Sequence, residues 1–355
     1  LSNPWGMWLR GNDTEPFVLS RKQGWDRFVN APRRALLPVL TRAEMGRLDA
    51  ESLADYTEAR MVWNANLPIV RTQQLTSAFA IIDQVMASAR RDGDRARGSV
   101  VIDAKPGLGK TTIATRYGKD FHRLQYRRYG PTTIDGHQRL PVAFIPLKAS
   151  ITLKALNQKI LNFYGHPAGT AATRFELADL AIDCVRSCET RLIVIDDVHF
   201  IDFRHRDGLT VSNHLKSLAN EMAVTFIFVG VGLAEKKFFD EGMIGEEAAY
   251  AQTSRRATRC PVVPFTLGTD DGFRGWVDLL RVLESHIALA DAHPGMLTDH
   301  AQLLHRRTQG YIASLTSLLD RACARAIGTG GETIDADVIG GVEMDNAAQT
   351  ASPIG

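Results

Sequence analysis

Two short stretches, AKPGLGKTT (Ala104 to Thr112) and RLIVIDDVHFID (Arg191 to Asp202), carry residue types that could hold a chain of phosphates and a divalent cation. A tight glycine turn lets successive backbone N–H groups converge on phosphate oxygens, a lysine reaches the outer phosphates, and a serine or threonine hydroxyl holds magnesium. Gly107, Gly109, Lys110 and Thr111 supply those parts, with Pro106, Leu108 and Thr112 completing the loop. Ala104 stands where the strict G-x-x-x-x-G-K-[ST] pattern has its first glycine. That change is tolerated if the backbone there is in an ordinary region. In the second stretch an apolar run ends in Asp196 and Asp197. Asp196 would hold magnesium through water, and Asp197 would orient or deprotonate the attacking water. ATP and Mg2+ are the expected cofactors.

Three further positions bear on turnover. Asp197 is one methylene shorter than the glutamate common at such sites, which predicts slow, switch-like hydrolysis. Val231, after the run FIFVG, occupies a place where a polar side chain would sense the terminal phosphate. Arg255 and Arg256 fit a finger reaching the site of a neighbouring subunit, against the alternative of a solvated pair of cations. His199 reads as a loop histidine before a relay residue.

The elements that must position these residues can be read from the apolar pattern. Ser99–Ala104, Val142–Leu147, Leu192–Asp196 and Val224–Gly230 read as short strands apolar on both faces, with TRCPVVPF as a fifth. The segments LKALNQKILNFYG, FELADLAIDCVRSC and LTVSNHLKSLANEMA between them read as helices, as does the stretch from about Lys110. This alternation predicts an α/β fold with a parallel central sheet covered by helices on both faces. The partition is an N-terminal extension over 1–65, a nucleotide-binding domain over 66–267, a small helical lid over 268–344 and a polar tail over 345–355. In the extension Thr41 and Glu44 form a capping box, and Trp5, Trp8, Trp25 and Trp63 are expected to pack on the chain's own domain or a neighbouring subunit.

Composition narrows the class. The 355 residues are 45% hydrophobic, enough for a core without staples, and no apolar run is long enough to span a membrane. With 42 basic against 40 acidic residues, nucleic-acid contact would have to come from a local patch. KDFHRLQYRRYG, with Arg123, Arg127 and Arg128 among tyrosines, is one such stretch for DNA or a protein. The four cysteines form no C-x-x-C unit and no secretory signal is evident, giving a reduced, cytoplasmic reading. Cys184 and Cys188 share a helix face, where packing is preferred to a metal site.

With these residues in view, the chain resembles the TniB/TnsC-like family of AAA+ transposition ATPases, which includes the B protein of phage Mu. The similarity runs through GWDRFVNAP, LPIVRTQQL, PGLGKTT, IPLKASITLKALNQKILNFYGHP, LIVIDDVHFI, FIFVGVGLAEKKFF, SRRATRCPVVPF and TQGYIASLTSLLDRACARAI, roughly residues 20 to 330. It implies an AAA+ P-loop NTPase that forms rings or helical filaments on double-stranded DNA, selects a target, and recruits and stimulates a DDE-type transposase, with a target-selecting protein as a further partner. By residue it gives Gly107, Gly109, Lys110, Thr111 and Thr112 to phosphate and magnesium, Asp196 to magnesium, Asp197 to water, Arg255 or Arg256 to the trans contact, and Ile69 and Val70 to the adenine pocket. It also places Lys148, Thr152 and Lys154 at sequence-tolerant DNA contacts, where a solvated helix start is the plainer reading. A sensor arginine in a G-x-R arrangement is missing from GYIAS, and Arg307 and Arg321 are weak substitutes. The competing reading is a signalling or defence ATPase of the switch type that oligomerises without holding DNA. A helicase loader and a scaffold with a dead nucleotide site stand behind it.

Overall fold

The computed structural model describes residues 3–12, 16–87, 97–148, 151–167, 172–201, 214–215, 218, 221–233 and 257–344. The chain divides into two compact units: Pro16–Ala31 with Gln74–Val262, and Leu1–Glu15 with Pro32–Gln73 and Val263–Gly355. Residues 1–65, set apart above as one extension, are thus shared between the units. In chain order the elements are α1 (Pro4–Gly11), α2 (Lys22–Asn30), α3 (Arg42–Met45), α4 (Ala50–Ala65), α5 (Gln73–Met86), β1 (Ser99–Asp103), α6 (Lys110–Tyr129), β2 (Val142–Pro146), α7 (Leu153–Tyr164), α8 (Arg174–Ser187), β3 (Leu192–Asp196), β4 (Thr225–Gly230) and β5 (Ala257–Pro261). Helices at Asp270–Glu284, Ala301–Thr308, Ile312–Gly328 and Ala336–Gly340 follow.

The α/β unit is built on a five-stranded parallel sheet in the order β2-β3-β4-β1-β5. Leu192 to Asp196 of β3 and Thr225 to Gly230 of β4 are buried throughout, as unbroken apolar runs covered on both faces must be. The edge strand β5 is different: Thr258 and Arg259 face solvent, and pairing stops at Pro261. The run TRCPVVPF therefore overstates the fifth strand, because Pro261 and Pro264 lack the N–H that a longer ladder needs. Register sets Asp103 opposite Gly230 and Pro261, and Pro146 opposite Asp196. All five strands are parallel, so their C-terminal ends form one edge. The helix read over LTVSNHLKSLANEMA and the polar tail lie largely outside the described residues.

Helix α2 is anchored in this unit by Trp25, fully buried and stacked on Phe144 at 6.3 Å between ring centroids. Gly118 of α6 makes room for it, since a Cβ there would lie 3.0 Å from the indole. The indole N–H donates to His122 Nδ1 at 3.1 Å. Lys119 donates to the Phe28 carbonyl and lies over the Phe28 ring, while Arg123 donates to the Val29 carbonyl. In the stretch KDFHRLQYRRYG, Lys119 and His122 are buried and Lys119 and Arg123 are committed to α2 carbonyls, while Asp120, Arg123, Arg127, Arg128 and Tyr129 are exposed.

In the helical unit, α4 packs along Ile312–Gly328 and α1 packs on α4. The core is lined by Trp276, Leu280, Leu304, Leu315, Leu319 and Ile339. Two polar devices fix the loops around it. Arg60 binds both carboxylate oxygens of Glu332 at 2.8 and 2.7 Å, both side chains buried. Asn64 accepts from the Ala288 N–H and donates to the Ala288 carbonyl. The capping box of Thr41 and Glu44 is present. The tryptophans of the N-terminal segment pack within the chain: Trp5 lies 4.7 Å from Tyr56, and Trp8 lies 6.4 Å from Trp63.

Two outcomes follow from the buried polar groups. Glu332→Gln leaves the Arg60 guanidinium buried without a counter-charge, so it should cost about 3 kcal/mol, read as faster hydrogen exchange across Ile312–Gly328; unchanged exchange would make the pair dispensable. His122 is buried with its Nδ1 occupied, and burial pushes its pKa down from 6.5 to about 4. A depressed histidine pKa means that the unfolded chain binds the proton first as pH falls from 6.5 toward 4, so stability is present above 6.5 and lost through that window. The α/β unit should lose about 2 kcal/mol between pH 7 and pH 5, seen as deprotection of α6 and β2, and His122→Gln should flatten that dependence.

Candidate nucleotide site

The P-loop joins β1 to α6, with Gly107 and Gly109 in the left-handed region at φ of 78° and 83°. Only glycine adopts these angles without strain, and the turn they make starts α6 with Gly109 as its N-cap, unsatisfied by any side chain. A helix N-terminus with open N–H groups is an anion site when a loop of this form precedes it. Ala104 is not among the residues with positive φ, and its N–H continues the ladder to the Gly230 carbonyl at 3.4 Å. An alanine is therefore accommodated at the first position of the motif.

The two motifs meet across the sheet edge. Thr111 Oγ1 donates to Asp196 Oδ2 at 2.9 Å, and the second carboxylate oxygen of Asp196 accepts the Asp197 N–H at 2.9 Å. Lys110 Nζ donates to the carbonyl of Lys105 at 2.7 Å, so the lysine is folded back over its own loop. Burial lowers the Lys110 pKa, opposed by the fields of Asp196, Asp103 and Asp197. Burial likewise raises that of Asp196, opposed by the Thr111 hydrogen bond. Asp103, which ends VVID as Asp196 ends IVID, was missed in the sequence reading; that repeat was the available signal. These residues fit nucleotide and magnesium: hydroxyl and carboxylate converge on one point, and the loop has the open donors and the lysine.

Asp197 is 45% exposed and has a left-handed backbone at φ 59°. His199 lies on the following 3-10 turn, its Nδ1 3.9 Å from Asp197 Oδ1. Val231 follows β4, whose end is level with that of β1. Among the remaining candidates, Pro106 is exposed, Leu108 is buried and Thr112 lies in the first turn of α6. Ile69 is half-exposed and Val70 packs against the core of the helical unit. Arg255 and Arg256 lie outside the described residues.

Lys148 is exposed beyond β2, and Lys154 is half-buried in the first turn of α7. Thr152 is the N-cap of α7, its hydroxyl oxygen accepting the Ala155 N–H at 3.2 Å, so the plainer reading of a helix start accounts for that contact. In the helical unit, Arg307 donates to the carbonyls of Ile339, Gly340 and Val342, and Arg321 to that of Glu343. Both are engaged in holding the end of that unit. Cys184 and Cys188 are free thiols, each with its pKa raised by burial, that of Cys188 to about 11. No group of three metal-ligating side chains occurs among the described residues, and no helix among them is long and apolar enough to cross a membrane.

Residues 92–238 match the model of the family described as AAA domain. Among solved structures, the chain is similar to the ORC2 protein of Aeropyrum pernix in ADPNP and ADP complexes, at 15% identity and a TM-score of 0.52, over 77% of this chain and 68% of that one. It is also similar to the ORC1 protein of Aeropyrum pernix in complex with DNA, at 15% identity and a TM-score of 0.55, over 80% and 66%. Cdc6p from Pyrobaculum aerophilum gives 16% identity and a TM-score of 0.52, over 76% and 66%. The chain thus spans about two thirds of the length of these structures. No curated protein sequence matches it. At such identities the likeness is one of fold, and with the matched segment it is specific: this is the AAA+ P-loop fold, and residues 92–238 carry an AAA ATPase domain.

Proposed function

We propose that this chain is an ATP-dependent regulator of DNA transposition. It oligomerises on double-stranded DNA as a ring or helical filament, selects the target, and recruits and stimulates a DDE-type transposase. The observation that carries the reading is a nucleotide site of the AAA+ kind, Thr111 and Asp196 in contact, set among flanking segments that resemble those of the TniB/TnsC-like ATPases. A fold shared with an ORC1 protein solved on DNA is consistent with the DNA part of it.

In this reading the N–H groups of the loop from Pro106 to Thr112 and the Lys110 ammonium take the phosphates. Thr111 and Asp196 hold Mg2+, and Ile69 and Val70 face the adenine. Asp197 orients water, and Arg255 or Arg256 completes the site of the adjoining subunit. Residues 268–344 act as the lid, and Lys148, Thr152 and Lys154 meet the DNA backbone without reading sequence. The protein acts in the cytoplasm, with a target-selecting protein as a further partner. Lys110 must leave the Lys105 carbonyl for phosphate, so nucleotide entry and the shape of the loop are linked. The short Asp197 and the apolar Val231 favour a second reading, a signalling switch that assembles without DNA.

Electron microscopy with duplex DNA, with and without a non-hydrolysable ATP analogue, separates the two. Rings or filaments on DNA are expected only with nucleotide and only when Lys110 is intact; nucleotide-driven oligomers that ignore DNA would move the chain to the second reading. Asp197→Asn keeps a residue type that accepts the left-handed backbone, so nucleotide affinity should stay within about threefold while hydrolysis falls by on the order of 100-fold. Steady-state phosphate release alongside binding of a fluorescent ATP analogue checks it, and undiminished hydrolysis would remove Asp197 from the chemistry.

A further inference from the structure

A second cationic site lies away from the P-loop. At the free edge of β2 the structure has a recess of about 100 Å3 lined by Ser20, Arg21, Ile145, Pro146, Lys159 and Asn162. Its walls contain two cations, a hydroxyl and a carboxamide, and no carboxylate. Lys159, on α7, is partly buried; burial lowers its pKa, and the like charge of Lys148 lowers it further. Arg21 is held in place by one donor, Nη1 to the Asn162 carbonyl at 2.9 Å. Arg21 is also the N-cap residue of α2, whose first turn has no side-chain cap, so the positive end of that helix begins at the same wall.

Three positive contributions thus meet at a recess whose lining, among the described residues, holds no carboxylate. Lys159, partly buried and facing the like charge of Lys148, is stabilised by an anion brought from outside. The volume admits a phosphate group. We propose that this recess binds a phosphate group, as a diester of a nucleic-acid backbone or as a free phosphate, with Lys159 and Arg21 as its ligands. The backbone source rests on the DNA reading above; the site itself does not.

The test uses the full chain saturated with a non-hydrolysable ATP analogue and magnesium, so that the P-loop is occupied. Inorganic phosphate is titrated by calorimetry and a fluorescent 20-base-pair duplex by anisotropy, against Lys159→Met, Arg21→Met and Lys159→Arg. Each methionine variant should weaken phosphate binding at least tenfold, and Lys159→Arg should restore most of it, with binding of the ATP analogue unchanged in all three. If the ligand is a backbone diester, the duplex also loses several-fold affinity and the salt slope falls by about one. Loss for phosphate without any duplex binding would keep the site and set aside the DNA reading. Duplex binding that is unaltered in both methionine variants, with phosphate affinity within twofold of the parent, would overturn the site and leave the DNA reading standing.

Discussion

The hydrogen bond between Thr111 and Asp196 joins residues 85 apart in sequence and 2.9 Å apart in space, and most of the α/β unit is arranged to permit it. Both residues must sit at the C-terminal edge of one sheet, which requires β1 and β3 to run in the same direction. They are not neighbours, because β4 lies between them. Parallel strands need crossover connections, and these place helices on the sheet faces, so each central strand is apolar on both sides. The unbroken runs SVVID, LIVID and TFIFVG are the same requirement written in sequence.

The same placement creates the electrostatic character of the site. Burial pushes Lys110 and Asp196 toward their neutral forms, one down and one up, while each restores part of the charge on the other. The loop offers donors without acceptors, and the strand ends offer carboxylates. A triphosphate with a divalent cation supplies a charge of each sign where the complementary group already stands. Lys110 donates to a carbonyl of its own loop, an interaction that a phosphate oxygen would replace with a stronger one.

Legibility followed the physics of each feature. Strand positions were read to within a residue for β1 to β4, because residues buried on both faces leave no ambiguity of period. The left-handed glycines and the meeting of Thr111 with Asp196 were readable from motif and context. Less could be read where a contact depends on distant chain. Nothing local in GWDRFVNAP says that Trp25 inserts between α6 and β2, and the spending of Lys119 and Arg123 on α2 carbonyls is invisible in a stretch that looks uniformly basic. Tertiary partners, not composition, decide whether an arginine is surface or scaffold. The same holds for Arg60, whose buried pairing with Glu332 crosses more than half the chain.

The departures of this site from the strict motif share a local explanation in backbone geometry. Ala104 lies in ordinary φ space and continues the β1 ladder, so the first glycine has no conformational task here. Asp197 is the opposite case. Its φ of 59° costs most residues roughly 1–2 kcal/mol, less for aspartate and asparagine, whose short polar side chains can bond locally. Immediately after it the chain turns into a 3-10 segment carrying Val198, fully buried. A glutamate at 197 would gain reach toward a water molecule and lose the conformational compatibility of aspartate. The shorter acid is thus coupled to the turn that follows β3, and the reach of its carboxylate is limited by the same backbone that seats Asp196.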